Sequence, residues 1–272
     1  TVDDTIIAFK RALYYLFNGR PGPVWLDIPI DLQSNNTKLN KIEKIYRSNT
    51  QRKINDYVHP NILTNNKLNV GNIKKDIKSI ISLINKSKRP LLLGGNGIRI
   101  SKTQDLFLKI INNLKLPAVT GWSAHDLIPG RNKYNCGKPS TVGDRPGNFA
   151  VSNCDLLIVF GCRLNIRQIS YNYKSFAKSA KIVWVDIDKN EFKKKYVTPF
   201  LKINCGLNIF FNNFIKIKTI YKEKKGWLKW CNYIKKNFTP KTRDYKIYQN
   251  RINIYHFINE LISKLNNKNI VV

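Results

Sequence analysis

The chain has no methionine in 272 residues, and it contains few acidic residues and few histidines: 17 Asp and Glu stand against 48 Lys and Arg, with three His. No apolar run approaches the roughly eighteen residues that a membrane-spanning helix needs, so no membrane segment is expected. The five cysteines form no CxxC pair and no zinc-like spacing with histidine. This predicts reduced thiols, a cytoplasmic location, and neither a metal site nor a disulfide framework.

The formal net charge of +31 raises the question of nucleic-acid binding. The basic residues are spread along the whole chain and accompany many Asn and Ile, which is typical of an AT-rich coding sequence. A dedicated binder concentrates its charge in a stripe or carries a recognisable motif. We therefore expect no nucleic-acid partner, although a basic nucleic-acid-binding protein and attraction to small anions remain alternatives at this point.

Strands and helices alternate through the middle of the sequence. This alternation predicts an α/β domain: a Rossmann-like parallel sheet with helices on both faces. The apolar runs expected as strands are residues 90–94, 117–120, 156–161, 182–186 and 200–204, with 91–94, 156–161 and 182–186 in the interior of the sheet. Helices are expected at residues 1–18, 72–85, 103–114, 207–217, 226–238 and 254–265, and further strands at 24–28 and 268–272.

A glycine-rich turn follows the first strand of this region. It comprises Gly94, Gly95, Asn96 and Gly97. Glycines after a strand let a backbone approach a phosphate, and the N-terminus of the following helix adds a favourable dipole. The turn lacks the full GxGxxG pattern, so a purely structural tight turn is the alternative.

A long loop follows the second strand. It begins at Thr120 and Gly121 and continues to Gly143 and Arg145. Long loops inside compact domains are usually functional. Because the carboxyl ends of parallel strands form the ligand crevice of such sheets, we predict that these four residues contribute to a ligand site.

Charged residues follow the next two strands. Arg163 and Arg167 offer two guanidinium groups for a phosphate or carboxylate, although Arg163 could instead pair with Asp155 or Asp186. Asp186 ends a strand at the position that hydrogen-bonds a ribose hydroxyl in dinucleotide folds. Asp188 begins a capping-box spacing, which predicts a helix cap.

Four segments occur in a specific order: RPLLLGGNGI, LPAVTGW, TVGDRPGNFAVSNCDLLIVFGCRL and KIVWVDID. In that order they resemble the central domain of thiamine-diphosphate-dependent enzymes of the acetolactate synthase group. GRPGPVWLDIP resembles the end of that family's pyrimidine-binding domain, and RINIYHFINELISKL resembles the start of its diphosphate-binding domain. The implied division is residues 1–33 (end of the pyrimidine domain), 34–70 (linker), 71–218 (central domain), 219–250 (helical linker) and 251–272 (start of the diphosphate domain).

The resemblance implies an enzyme that decarboxylates a 2-keto acid and transfers the product to an acceptor. It implies thiamine diphosphate and Mg²⁺ as cofactors of the whole protein, FAD as a candidate third, and a homodimer or homotetramer. The family's catalytic glutamate and its GDG-to-Asn metal motif do not occur in this chain, so we expect no catalytic or metal residues here, a fragment that begins within a longer protein, and no activity from it alone. By position, the glycine turn, Arg167 and Asp186 match the family's FAD site. A stand-alone nucleotide-binding module is the alternative.

Overall fold

The computed structural model describes residues 1–17, 22–47, 70–217, 223–239 and 251–266. Its centre is one five-stranded sheet, and every neighbouring pair of strands is parallel. The strands are β1 (Pro90–Gly94), β2 (Ala118–Thr120), β3 (Leu156–Phe160), β4 (Lys181–Asp186) and β5 (Leu201–Asn204). The sequence predicts all five to within a residue or two, and β1, β3 and β4 are interior as expected because their apolar runs are covered on both faces.

The helices agree with the predicted pattern through most of the domain. They are α1 (Val2–Phe17), α2 (Ile30–Gln33), α3 (Leu39–Arg47), α4 (Val70–Lys86), α5 (Gly97–Ile100), α6 (Gln104–Leu114), α7 (Arg145–Asn153), α8 (Ile166–Ile169), α9 (Leu207–Lys216), α10 (Lys225–Phe238) and α11 (Ile254–Lys264). Short 3₁₀ turns lie at Tyr173–Ser175 and Lys189–Lys193. None of the helices described is long and apolar enough to cross a membrane.

The sheet separates two apolar cores. Because side chains alternate along a strand, Leu92 and Ile158 pack into one core while their neighbours Leu93 and Val159 pack into the other. Helices α4, α6 and α9 cover the first face, and α7 and α10 cover the second. The result is the three-layer, doubly wound architecture that the sequence predicts.

The strand order is β2-β1-β3-β4-β5. The chain winds outward from β1 to β2, then crosses back over β1 to β3 and continues to β5. The direction of winding therefore reverses between β1 and β3. In open parallel sheets the loops separate at such a switch point and leave a crevice at the carboxyl ends of the strands.

Two segments differ from the sequence prediction. Residues 24–28 are not a strand: they form no ladder with any described residue, and Trp25 is 92% exposed. An apolar run becomes a strand only when another strand offers its hydrogen bonds, and none of the described strands lies beside it. Within the predicted linker, Leu39–Arg47 forms α3, which packs against α1.

Some predictions fall on residues that the structure does not describe. These are the strand at 268–272, residues 19–21 of the GRPGPVWLDIP segment, residues 48–69 of the first linker, and residues 219–222 and 240–250 of the helical linker.

Candidate functional site

A cleft of about 580 Å³ lies at the carboxyl ends of β1, β3 and β4, where the strand order reverses. We refer to it as the switch-point cleft. Six glycines line it: Gly22, Gly95, Gly97, Gly121, Gly161 and Gly206. Arg163 and Asp186 are the charged residues among those that line it. A glycine-walled crevice with one cation and one carboxylate suits a flat ligand that carries both hydroxyl and anionic groups.

The glycine turn after β1 packs directly on the turn after β3. The backbone N–H of Gly95 donates to the Phe160 carbonyl oxygen at 2.9 Å, and that of Gly97 donates to the Gly161 oxygen at 2.9 Å. A Cβ atom at Gly95 would lie 2.3 Å from the Gly161 oxygen, so glycine is required for this close approach. Both N–H groups are engaged within the protein, and the two turns therefore form the floor of the cleft.

Gly94 and Asn96 complete that turn. A Cβ atom at Gly94 would lie 2.7 Å from the Phe107 ring, so this glycine allows α6 to pack beneath the turn. Asn96 lines the cleft and precedes α5, but its side chain makes no capping hydrogen bond there. Of these two predicted residues, the structure brings Asn96 to the cleft.

Arg163 pairs with a residue that the sequence analysis did not single out. Its Nε donates to Oε1 of Glu191 at 3.0 Å, so its ion-pair partner is Glu191 and not the predicted Asp155 or Asp186. Glu191 also forms an ion pair with Lys194. Its spacing after Asp188 resembles a capping box, and that local pattern gives no sign of a partner 28 residues upstream.

Asp155 stabilises a loop instead. Its carboxylate accepts hydrogen bonds from the Ser87 hydroxyl and from the backbone N–H groups of Lys88 and Arg89. Burial opposes its ionisation, but these hydrogen bonds outweigh burial and hold the pKa of Asp155 below its usual value.

Asp186 is 2% exposed at the end of β4 and lines the cleft. Its Oδ1 accepts the backbone N–H of Asp188 at 3.0 Å, which fixes the carboxylate in place. Asp188 in turn accepts the N–H of Asn190 at 2.9 Å and caps the 3₁₀ turn, as its spacing predicts.

Arg167 lies near Trp122 but is not itself part of the cleft lining. Trp122 lines the cleft, and its backbone N–H donates to Oε1 of the buried Gln168 at 2.9 Å. The Arg167 guanidinium lies 5.9 Å from the Trp122 ring centroid and is not part of the lining. Gln168 was not singled out by sequence reasoning because nothing in its local pattern marks it.

The remaining predicted residues lie at different distances from the cleft. Gly121 lines it, whereas Thr120 is fully buried below at the end of β2. Gly143 lies in the turn that leads into α7, and Arg145 is the first residue of that helix; both are outside the cleft lining. There Asp144 caps the helix by accepting the N–H of Gly147 at 2.8 Å.

The thiol and imidazole near the cleft are held neutral by their surroundings. Burial raises the pKa of the Cys162 thiol to about 11. Burial, assisted by nearby Lys138, lowers the pKa of His125, whose ring packs edge-on against Trp122. Among the described residues, no group of three or more His, Cys, Asp or Glu side chains could hold a metal ion. The arrangement is suited to binding.

Fold and cleft together define a doubly wound α/β domain with a cleft at its switch point. A model of the thiamine pyrophosphate enzyme central domain matches residues 77–207, which include the whole sheet. The chain belongs to the thiamine-diphosphate-dependent enzyme family.

Relatives agree with this assignment. A probable acetolactate synthase large subunit from Methanococcus aeolicus is 31% identical over 191 residues, covering 68% of this chain and 29% of the relative. One from Methanocaldococcus jannaschii is 28% identical over 265 residues, 95% of this chain and 42% of the relative. The acetolactate synthase isozyme 1 large subunit of Escherichia coli is 28% identical over 177 residues, 65% of this chain and 28% of the relative.

The chain therefore spans less than half the length of these relatives. The match that covers 95% of the chain extends over the segments that flank the sheet. A stand-alone nucleotide-binding module would account for the sheet but not for this agreement in the flanks.

Proposed function

We propose that this chain supplies the central domain of a thiamine-diphosphate-dependent enzyme that acts on a 2-keto acid and assembles as a homodimer or homotetramer. The observation that carries the proposal is the coincidence of the matched range, residues 77–207, with the complete parallel sheet and its switch-point cleft. The names of the relatives, acetolactate synthase large subunits, support the 2-keto acid as substrate class.

We further propose that the switch-point cleft binds an adenine dinucleotide such as FAD. A volume of about 580 Å³ is in the range of cofactor sites. The carboxylate of Asp186 is placed to accept a ribose hydroxyl, and the guanidinium of Arg163 is suited to a phosphate. The N-terminus of the ten-residue helix α9 lies at the same cleft and adds a favourable dipole for an anion.

When bound, FAD supplies electron-accepting chemistry of its own, and the residues of the chain bind and orient it. Gly95, Gly97 and Gly121 give the ligand a flat surface, and Asn96 offers an amide. Thr120, Gly143, Arg145 and Arg167 lie outside the lining, and their part in binding stays a prediction.

The described residues contain no group of three or more His, Cys, Asp or Glu side chains that could hold a metal ion, so none of them is assigned to the diphosphate and Mg²⁺ of the other cofactor. In the proposed enzyme their role is to hold the dinucleotide and to connect the domains on either side.

A titration of FAD against the wild-type chain and Asp186→Asn tests the cleft assignment. Asparagine keeps the acceptor for the Asp188 N–H but removes the charge offered to the ribose. Loss of one charged hydrogen bond corresponds to about 1.5–3 kcal/mol, or roughly ten-fold or more in Kd. Arg131→Ala, exposed and outside the lining, is the matched control and should bind as wild type does. Equal affinity in Asp186→Asn and wild type would contradict the assignment.

A further inference from the structure

A buried carboxylate lies behind the rim of the switch-point cleft. Only 4% of the Glu191 side chain is exposed, and its two oxygens face Arg163 from the β3 turn and Lys194 from the end of the 3₁₀ turn. The Lys194 ammonium also donates to the Arg163 backbone carbonyl at 2.5 Å. We call this carboxylate and the two cations that pair with it, Arg163 and Lys194, the Glu191 clamp.

The geometry of the clamp leaves part of the arginine available. Oε1 of Glu191 accepts a hydrogen bond from the Nε–H of Arg163 at 3.0 Å. The Arg163 side chain as a whole is nevertheless 62% exposed and lines the cleft. A guanidinium held at Nε keeps its two terminal nitrogens as donors in a fixed plane. Glu191 itself is not part of the lining, so it acts on a ligand only through Arg163.

Burying the charged Glu191 carboxylate costs free energy, and the cations of the clamp offset that cost. A buried carboxylate is tolerated only when it is well paired, and here two cations surround it. Arg163, one of these two cations, lines the cleft. Holding a flexible arginine in place before the ligand arrives reduces the entropy lost on binding.

We propose that Glu191 is a positioning residue that fixes the Arg163 guanidinium for a phosphate group of the ligand in the switch-point cleft. The proposal rests on the proposed nucleotide function. It predicts that loss of Glu191 lowers the affinity for a ligand that carries a phosphate and does not change the affinity for the same ligand without its phosphate. A purely structural ion pair would change both ligands alike.

The experiment is a calorimetric titration of the full chain with ADP and with adenosine. Glu191→Gln should lower the affinity for ADP about ten-fold and leave the affinity for adenosine unchanged. Arg163→Ala should lower the affinity for ADP at least as much. The double variant Arg163→Ala with Glu191→Gln should show no further loss of ADP affinity, because Glu191 acts through Arg163. Glu223→Gln, which removes the carboxylate of the Lys115 ion pair outside the cleft lining, is the matched control and should behave as wild type.

The possible results separate this proposal from the function on which it rests. The positioning role would be overturned, while nucleotide binding stands, by either of two results. One is an equal loss of affinity for adenosine and ADP in Glu191→Gln; the other is a further loss of ADP affinity when Glu191→Gln is added to Arg163→Ala. Failure of the wild type to bind adenosine, ADP and FAD would overturn both. If Glu191→Gln does not fold, Arg163→Lys serves instead: it keeps the charge without the fork and should lose affinity for ADP alone, and unchanged ADP affinity in this variant would refute the proposal.

Discussion

Gly95 is the residue on which the floor of the cleft depends most. A Cβ atom there would lie 2.3 Å from the Gly161 oxygen and 2.4 Å from Cys162 Cα, both in the backbone. Gly95→Ala should therefore push the two turns apart and lower the free energy of unfolding by about 1–3 kcal/mol. Gly130→Ala is the control, since its Cβ would meet nothing within 4 Å. Urea denaturation of both variants checks this, and an undiminished midpoint for Gly95→Ala would contradict the packing described.

The buried thiols predict a loss of stability at alkaline pH. Burial raises the pKa of Cys154 from 9.0 to about 12 in the folded protein. The thiol form is therefore favoured by folding: this contribution is complete below pH 9 and is lost as the pH rises from 9 towards 12, because the unfolded chain ionises first. The stability difference between wild type and Cys154→Ala should shrink over this range. Denaturation curves at pH 8 and pH 10.5 measure it, and a constant difference would count against burial of the thiol.

Residue roles could be predicted where the signal is local. The cap made by Asp188 follows from its spacing to the turn after it, and the structure confirms it. The partner of Arg163 could not be found this way, because Glu191 and Arg163 meet only when β3 and β4 pair and their turns lie side by side.

At the scale of elements, the side chain of Trp227 connects α10 to the sheet. Its indole Nε1 donates to the Pro90 carbonyl oxygen at 2.9 Å in the buried second core. Trp227→Phe removes this donor and leaves a buried carbonyl group without it, which should lower stability by about 1–3 kcal/mol. Trp230 stacks on Trp227 but is only partly buried, so Trp230→Phe should lower stability less. Thermal melts of the two variants compare them, and an equal or smaller effect for Trp227→Phe would contradict this role.

Strands proved easier to predict than the segments outside the sheet. A run such as Leu156–Phe160 is apolar on both faces because helices cover both sides, and this shows directly in the sequence. Residues 24–28 show the same apolar character but have no neighbouring strand among the described residues. A strand depends on its neighbour, and a one-dimensional pattern does not contain that neighbour. Helix α3 was missed for a related reason: it lies in a polar stretch, and its contact is with α1.

At the scale of the whole molecule, the order of four motifs was sufficient to predict the family, and the match to residues 77–207 confirms it. The order of the strands was not accessible in the same way. Parallel pairing of β1 with β3 brings Gly97 to Gly161 and so creates the cleft, although 63 residues of chain separate these glycines, from 97 to 161. The net charge of +31 proved uninformative about the site, whose lining includes one cation and one carboxylate as its charged side chains.

We propose that this chain binds a dinucleotide in the switch-point cleft and does not by itself bind thiamine diphosphate. One calorimetric comparison tests it most directly: the same preparation is titrated with FAD, and separately with thiamine diphosphate in the presence of Mg²⁺. We expect saturable binding of one FAD per chain and no heat of binding for thiamine diphosphate. Saturable binding of thiamine diphosphate, or no binding of FAD, would contradict it.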